Sequence, residues 1–250
     1  MIRVLVNGSS GKMGRAIVTA IKLDNEIQLA GEANSKDNLS DIIKQTKPDI
    51  VVDFTTPHTA FRNAETIASC KCNGIIGTTG ITSDQRTALH EIALKNGRGI
   101  LIAPNFCIGA VVMMKLAAEA AKYLPNVEII EYHHDHKADA PSGTAITTAE
   151  YINDANVNKI NAPAVQSSEL LNDRSQGAKI GNIRIHAVRL PGFIASQEVI
   201  LGGEGQTLTI RHDTINRESF IPGIIYAVKN IIDKKGLIYG LEKLLFQGEK

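Results

Sequence analysis

Short apolar runs alternate with helix-like segments over the N-terminal part of the chain. Ile2–Val6 is a continuous apolar run of the kind found in a parallel strand that is buried on both faces. The elements predicted next are a helix around Ile17, strand Ile27–Ala33, helix Leu39–Gln45, strand Asp49–Phe54, helix Thr59–Ser69, strand Gly74–Gly77, helix Ser83–Lys95 and strand Gly99–Ala103. This alternation predicts an α/β fold with a Rossmann-like, doubly wound parallel sheet.

The pattern changes after a helix predicted at Ala110–Lys122. Longer runs of alternating polarity follow at Val127–Glu131, Ile183–Val188, Ser196–Leu201 and Gln206–His212. They predict a smaller α+β domain with an open mixed or antiparallel sheet. A long polar loop is predicted at Asn156–Gly181, and helices at Ile221–Ile232 and Leu237–Leu245. We therefore expect one domain at 1–107 and a second at 108–215. We also expect the C-terminal helices within 216–250 to complete the first domain, an expectation that their spacing alone does not provide.

Composition narrows the class of partner. The chain has 27 basic and 26 acidic residues, so its net charge of +1 offers no footprint for nucleic acid or an anionic membrane. No apolar stretch approaches the roughly 20 residues that span a bilayer. The chain has an odd number of cysteines, namely Cys70, Cys72 and Cys107, and we interpret them as reduced thiols. We expect an unprocessed, soluble, cytoplasmic protein that binds a small molecule, with no nucleic-acid or membrane partner.

A glycine triplet, Gly8-x-x-Gly11-x-x-Gly14, lies between the first strand and the first helix. In that context it predicts a dinucleotide-binding turn rather than a simple tight turn. Gly8 would permit the turn, Gly11 would let the backbone approach the pyrophosphate, and Gly14 would let helix and strand pack closely.

The end of the second strand bears on the type of dinucleotide. Asn34, Ser35 and Lys36 follow it, and they can hold a ribose 2′-phosphate. Glu32 favours a 2′-hydroxyl instead if the strand is shifted by two residues. NADPH and NADH therefore both remain candidates.

Two further loops are predicted at the carboxyl ends of strands, where open α/β sheets bind ligands. They are Gly77-Thr78-Thr79-Gly80 and Ala103-Pro104-Asn105-Phe106-Cys107-Ile108-Gly109. Their small residues leave room for a nicotinamide ring. Phe106 either flanks that ring or belongs to the core.

The segment from Glu131 to Ala145 concentrates chemistry in one strand-to-helix loop. It contains His133, His134, His136 and Lys137, followed by Pro141-Ser142-Gly143-Thr144. Histidine can supply a proton near neutral pH, and lysine can bind a carboxylate or act as an acid. Ser142 is a natural N-cap, and the first-turn amides after it suit a substrate carboxylate. A metal site lacks a supporting ligand pattern, so no metal is predicted, although histidines that merely cap the loop remain an alternative.

This loop, Glu131-x-His-His-x-x-Lys-x-Asp-Ala-Pro-Ser-Gly-Thr-Ala145, is similar to the signature of the dihydrodipicolinate reductases (4-hydroxy-tetrahydrodipicolinate reductases) of bacterial and plant lysine biosynthesis. Gly8-x-x-Gly-Lys-Met-Gly14, Asp53-Phe-Thr, Gly77–Gly80 and Ala103–Phe106 follow that family's order and rough spacing. The resemblance covers nearly the whole chain.

The resemblance implies NADH- or NADPH-dependent reduction of a cyclic dicarboxylate, 4-hydroxy-tetrahydrodipicolinate, to tetrahydrodipicolinate. It implies His133 as the proton donor and acceptor, Lys137 as a second proton donor, and a homotetramer built by the sheet of a substrate-binding second domain. The implied substrate-side residues are His134, Ser142, Gly143 and Thr144. The expected cofactor contacts are Gly8, Ser9, Ser10, Gly11, Lys12, Met13, Asn34, Ser35, Lys36, Gly77, Thr78, Thr79, Ala103, Pro104, Asn105 and Phe106.

The chain also departs from the family pattern. Asn34 stands where many members carry an acidic residue, Cys107 stands where serine is frequent, and Arg189–Glu198 differs from the Gly-Glu-His form of other members. Two rival functions are a dinucleotide-binding sensor without catalysis and a related dehydrogenase acting on aspartate. The intact histidine, lysine and Pro-Ser-Gly-Thr set argues against both.

Overall fold

The computed structural model describes residues 1–155 and 175–247. In chain order the elements are β1 Ile2–Asn7, α1 Lys12–Leu23, β2 Ile27–Ala33, α2 Leu39–Thr46, β3 Ile50–Asp53, α3 Pro57–Ser69, β4 Asn73–Ile76, α4 Ser83–Lys95, β5 Gly99–Ile102, α5 Ile108–Ala120, β6 Asn126–His133, α6 Gly143–Ala155, β7 Ala178–Ile180, β8 Ile183–Arg189, β9 Ala195–Gly203, β10 Gln206–Thr214, α7 Ile221–Asn230, β11 Gly236–Tyr239 and α8 Glu242–Leu245. They form two compact units, Met1–Ile108 with Arg217–Lys250, and Gly109–Asn216.

The first unit is built on a six-stranded parallel sheet in the order β11-β5-β4-β3-β1-β2. Residues Val4, Leu5 and Val6 of β1 are fully buried, as expected for a strand covered on both faces. The order of the strands reverses beside β1, where Asn7 of β1 lies in register with Asp53 of β3. The predicted doubly wound parallel sheet is confirmed, and this reversal is the switch point at which such sheets bind ligands.

The C-terminal segment corrects one prediction. The sequence pattern predicts a helix over Leu237–Leu245, but Gly236–Tyr239 is strand β11, paired with β5, and only Glu242–Leu245 is helix. Gly236 and Gly240 bound the strand, with φ of 78° and 99°. Because the apolar run is so short, its periodicity does not separate strand from helix, and pairing with β5 decides the outcome.

The second unit has a five-stranded mixed sheet in the order β10-β9-β6-β8-β7. Among the described strands of this sheet, β6 and β8 are the one pair that runs in parallel. One face packs on α5 and α6 through a cluster that includes Ile129, Ile185, Val199, Ala149 and Ile152. The predicted mixed sheet is confirmed.

The predicted loop Asn156–Gly181 is only partly described, because 156–174 lie outside the described residues. Ala178–Ile180 forms β7 rather than loop. No helix within 1–155 or 175–247 has the length and apolar character needed to cross a membrane.

Candidate active site

The turn after β1 has the geometry that its glycines predict. Gly8 has φ of 84°, in the region that favours glycine. A Cβ atom on Gly14 would lie 2.1 Å from the carbonyl oxygen of Gly8, so only glycine lets α1 pack this closely on the turn. The predicted roles of Gly8 in the turn and of Gly14 in packing are therefore confirmed.

The N-terminus of α1 suits an anion. The helix begins at Lys12, its N-cap Gly11 provides no side-chain cap, and its first turn has no acidic residue. First-turn amides have no partner within a helix, and the helix dipole adds partial positive charge there. The turn therefore suits the negative charge of a dinucleotide pyrophosphate.

Asn34 supports the phosphate turn from the end of β2. Its Oδ1 accepts a hydrogen bond from the backbone N–H of Ser10 at 2.8 Å, and its Nδ2 donates to the Ser9 hydroxyl at 3.1 Å. The backbone N–H of Asn34 donates to Asp37 at 2.8 Å. Ser35 and Lys36 are exposed. Asn34 is thus engaged with the turn, whereas Lys36 is exposed beside it.

A buried carboxylate lies at the switch point. Asp53 is fully buried, and it accepts hydrogen bonds from Asn7 Nδ2 at 2.7 Å, Asn63 Nδ2 at 2.8 Å and Thr55 Oγ1 at 2.8 Å. Burial raises the pKa of Asp53, and these hydrogen bonds oppose the rise. The carboxylate ties β1, α3 and the end of β3 together beneath the turn.

The two loops predicted to face a nicotinamide ring differ in exposure. Gly77 packs closely against the Phe54 ring, since a Cβ there would lie 2.1 Å from Cζ of that ring. The Thr78 hydroxyl accepts the Thr55 N–H at 3.0 Å. Thr79 and Pro104 are exposed, Asn105 is half-buried, and Ala103 is buried. Phe106 is buried with its ring 5.6 Å from that of Phe54, so of its two predicted roles the structure favours the core.

His133 is held by a buried carboxylate in the second unit. At the end of β6, His133 Nδ1 lies 2.5 Å from Glu131 Oε2. Arg189, at the end of β8, donates from Nη1 to Glu131 Oε2 at 2.9 Å and from Nη2 to Oε1 at 2.7 Å. Burial would raise the pKa of Glu131, but the hydrogen bonds from His133 and Arg189 more than offset it and hold that pKa below its ordinary value.

Lys137 lies in the loop after β6. Its Nζ donates to Asp139 Oδ1 at 2.7 Å, and its side chain is 21% exposed against 59% for Asp139. This hydrogen bond lowers the pKa of Asp139. His134 is half-buried, whereas the side chain of His136 is 88% exposed. Lys137 is therefore a mostly buried ammonium group whose partner is the more exposed carboxylate of Asp139.

The start of α6 has the predicted cap. Ser142 Oγ accepts the backbone N–H of Ala145 at 3.3 Å, which confirms Ser142 as the N-cap. Its own N–H donates to Glu131 Oε1 at 3.1 Å. Gly143 is exposed, and a Cβ atom added there would have no heavy atom within 4 Å, while Thr144 is half-buried. The cap thus links the helix to the carboxylate that holds His133.

Three residues of these sites carried no predicted role. Glu131 shares the inward face of β6 with Val127 and Ile129, and an acidic residue in that alternation is the signal that marks it. For Asp53 the signal is an acidic residue at the end of an otherwise apolar strand. Arg189 gave no signal of its own, because it meets Glu131 across 58 residues of chain. The described residues contain no cluster of three or more His, Cys, Asp or Glu side chains able to hold a metal.

A parallel sheet with a glycine turn at its switch point is the architecture of dinucleotide-dependent oxidoreductases. Residues 2–106 match the family model described as dihydrodipicolinate reductase, N-terminus, and residues 109–245 match the one described as dihydrodipicolinate reductase, C-terminus. The chain belongs to the dihydrodipicolinate reductase family, which confirms the resemblance seen in the sequence.

Individual relatives agree. A 4-hydroxy-tetrahydrodipicolinate reductase of Coxiella burnetii is 44% identical over 244 residues, covering 98% of this chain and 99% of the relative. One from Listeria welshimeri is 44% identical over 264 residues, covering 98% and 100%. The solved dipicolinate-bound dihydrodipicolinate reductase from Paenisporosarcina sp. TG-14 is 38% identical, with a TM-score of 0.87 and coverage of 98% and 99%.

Proposed function

We propose that the chain reduces 4-hydroxy-tetrahydrodipicolinate to tetrahydrodipicolinate, with His133 and Lys137 handling protons. Overall, the substrate gains one hydride and one proton and loses one water. NADPH or NADH supplies the hydride when bound. The observation that carries the proposal is the loop from Glu131 to Gly143, where an oriented imidazole, a lysine and a helix N-terminus occur together in one unit.

The substrate side is assigned to the second unit. The two carboxylates of the substrate are bound by Lys137 and by the backbone amides of Gly143 and Thr144, with His134 as a further contact. Asp139 holds Lys137 until a substrate carboxylate takes its place. The relative from Paenisporosarcina binds dipicolinate, a cyclic dicarboxylate, which supports a dicarboxylate substrate here. His133 then exchanges the proton with the reacting ring.

The cofactor side is assigned to the first unit. The turn from Gly8 to Met13 would hold the pyrophosphate, and Lys36 would favour NADPH by pairing with its 2′-phosphate. Lys36→Ala is therefore expected to weaken NADPH more than NADH. Lys22→Ala, a change of an exposed lysine in the last turn of α1, is the matched control. Equal losses for both cofactors after Lys36→Ala contradict the assignment.

We also propose that the enzyme is a cytoplasmic homotetramer assembled through the second sheet. The face of that sheet opposite α5 and α6 carries Ile130 and Ile200, both only half-buried, beside the ion pair of Arg211 Nη1 and Glu198 Oε2 at 2.9 Å. A mixed apolar and charged face of this kind suits association with copies of the same chain. Light scattering tests the mass, and a monomer in solution contradicts the assembly. Cell fractionation tests the location.

The experiment that tests the reaction couples the purified chain to a dihydrodipicolinate synthase, which forms the substrate from pyruvate and aspartate semialdehyde. Synthase-dependent oxidation of NADH or NADPH is expected.

His133→Ala should lower kcat on the order of 10²-fold or more, because the proton exchange is lost. His136→Ala removes a histidine from the same loop whose side chain is 88% exposed, and it should leave kcat unchanged. An unchanged kcat in His133→Ala removes His133 from the proton role.

A further inference from the structure

We propose that Glu131 is a positioning residue, which keeps one proton on His133 Nδ1 and so reserves Nε2 for proton exchange with the substrate. The inference rests on the proposed proton role of His133. Glu131 does not itself contact the substrate in this scheme. It acts through the orientation and the tautomer of the imidazole ring.

The hydrogen-bond partners of Glu131 determine the position of the proton. Arg189 donates to both carboxylate oxygens, at 2.9 Å and 2.7 Å, and the backbone N–H of Ser142 donates to Oε1 at 3.1 Å. Three donors therefore surround a carboxylate that acts only as an acceptor. His133 Nδ1, at 2.5 Å from Oε2, must then donate its proton as well.

The surroundings keep Glu131 ionised and fixed. The carboxylate is fully buried, and Arg189 supplies the charge that compensates it. Arg189 is held in turn by the carbonyl oxygens of Val188 and Asp139, each at 2.8 Å. A charge-assisted hydrogen bond shielded from water is strong, so the ring of His133 has little freedom to rotate.

The same strand provides an internal comparison. Glu128 Oε2 lies 2.5 Å from His186 Nε2, the same separation as in the Glu131–His133 pair. The Glu128 side chain is 45% exposed, whereas that of Glu131 is buried. The two glutamates are three positions apart along β6, so they lie on opposite faces of the sheet. Glu128 is thus a matched control with an equivalent contact and no link to His133.

The first test needs no variant. Nitrogen NMR of the imidazole rings, with His133 assigned by the signal that His133→Asn removes, reports which ring nitrogen carries the proton in the neutral ring. The proposal expects the proton on Nδ1 in the unaltered protein. A proton on Nε2 of the neutral ring overturns it, whatever the effect of any substitution on folding.

The second test is Glu131→Gln, which should reverse the tautomer. An amide nitrogen in place of Oε1 would face two donors, from Arg189 and Ser142. An amide nitrogen in place of Oε2 would face one arginine N–H and His133 Nδ1. Nδ1 can accept a hydrogen bond from that amide if the ring proton moves to Nε2. We expect kcat to fall on the order of 10²-fold, with KM changed by less than about threefold. Glu128→Gln, checked for unchanged oligomeric mass, should leave both values as they are.

A double variant separates failure of this inference from failure of the proposed function. If Glu131 acts through His133, adding Glu131→Gln to His133→Asn should lower kcat by no more than about a further twofold. An equal loss in both backgrounds overturns the inference. If His133→Asn alone leaves kcat intact, the proposed proton role fails first. If only Glu131→Gln is without effect, the proton role stands and the positioning role falls.

Discussion

Two fully buried carboxylates, Glu131 and Asp53, show how neighbouring residues set the properties of a side chain. Burial by itself raises the pKa of both. Glu131 faces Arg189 and His133, whose hydrogen bonds reverse the effect and lower its pKa. Asp53 faces neutral donors, and its pKa stays raised. The same functional group, a buried carboxylate, is therefore a firmly ionised acceptor in one unit and a more easily protonated group in the other.

The lowered pKa of Glu131 predicts a pH-dependent contribution to stability. The unfolded chain takes up this proton near the ordinary pKa of 4.5, whereas the folded chain takes it up only at lower pH. The contribution is therefore complete above that value and is lost as pH falls through the folded pKa. Glu131→Gln should reduce the free energy of unfolding by about 3 kcal/mol at neutral pH.

Urea titrations between neutral and acid pH check this prediction, with Glu128→Gln as the control. The difference between the unaltered protein and Glu131→Gln should shrink toward low pH. A difference that is the same at every pH would show that Glu131 stabilises by packing rather than by charge.

Gly14→Ala tests the packing of the phosphate turn. The added Cβ would lie 2.1 Å from the carbonyl oxygen of Gly8, so the helix or the turn must move. We expect a loss of stability of about 1–3 kcal/mol and dinucleotide affinity weakened on the order of tenfold. Thermal melting and fluorescence titration with NADPH measure the two effects. Gly143→Ala is the control, because Gly143 is the first residue of α6 and a Cβ atom there has open space around it. This variant should preserve both stability and dinucleotide affinity.

At the scale of elements, the carboxyl ends of β1 and β3 are joined to α3 through Asp53. Asn7 lies on β1, Thr55 follows β3, and Asn63 projects from α3. Parallel strands bring these groups to one edge of the sheet although they are distant in sequence. The elements beneath the phosphate turn therefore hold their relative positions through one buried acceptor.

Asn63→Ala should weaken this junction by removing a hydrogen bond to a buried carboxylate. A loss of about 1.5–3 kcal/mol in the free energy of unfolding is expected while Asp53 is ionised. Because the lost bond favoured the ionised form, the pKa of Asp53 should rise further. The penalty should therefore be greatest above the folded pKa and diminish as pH falls through it.

Denaturation at a series of pH values measures that penalty. Arg62→Ala, an exposed neighbour on α3, is the control for general effects on the helix. A penalty that increases toward low pH would contradict the role assigned to the Asn63 hydrogen bond.

At the scale of the whole molecule, the first unit is assembled from two distant segments of the chain. Its edge strand β11 comes from the C-terminal segment and pairs with β5. His90 Nδ1 on α4 accepts the N–H of Leu237 at 3.0 Å, and Gly240 N–H donates to Ile102 O at 2.8 Å. The parallel sheet is thus complete only when the C-terminal segment pairs with β5.

His90→Ala should loosen this closure. Loss of the acceptor leaves the Leu237 N–H without its partner, so we expect Tm to fall by about 2–4 °C. Hydrogen exchange should show faster exchange in β11 than in the central strands. His58→Ala, on the exposed surface of α3, serves as the comparison. If β11 keeps its protection in His90→Ala, the histidine does not hold the edge strand.

Much of the molecule could be read from local pattern. The apolar runs predicted the parallel sheet, the glycine spacing predicted the turn at Gly8 and Gly14, and the Pro-Ser-Gly-Thr sequence predicted the cap at Ser142. Each of these depends on contacts within a few residues or on the period of a single element. Strand β11 was not predicted, because so short an apolar run fits a strand and a helix equally well.

The amino-acid sequence by itself determined the fold class, the family and the loop that contains His133 and Lys137, since these follow from periodicity and from motifs of fixed spacing. Only the tertiary structure decided which buried groups meet. Glu131 and Arg189 are 58 residues apart, and Asn7 and Asp53 are 46 apart. Strand pairing brings each pair together, and strand order is a property of the whole sheet. These contacts determine the direction in which the pKa of Glu131 and of Asp53 is shifted. Burial and the charge of the partner residues set a pKa, and neither burial nor the partner can be read from the local sequence.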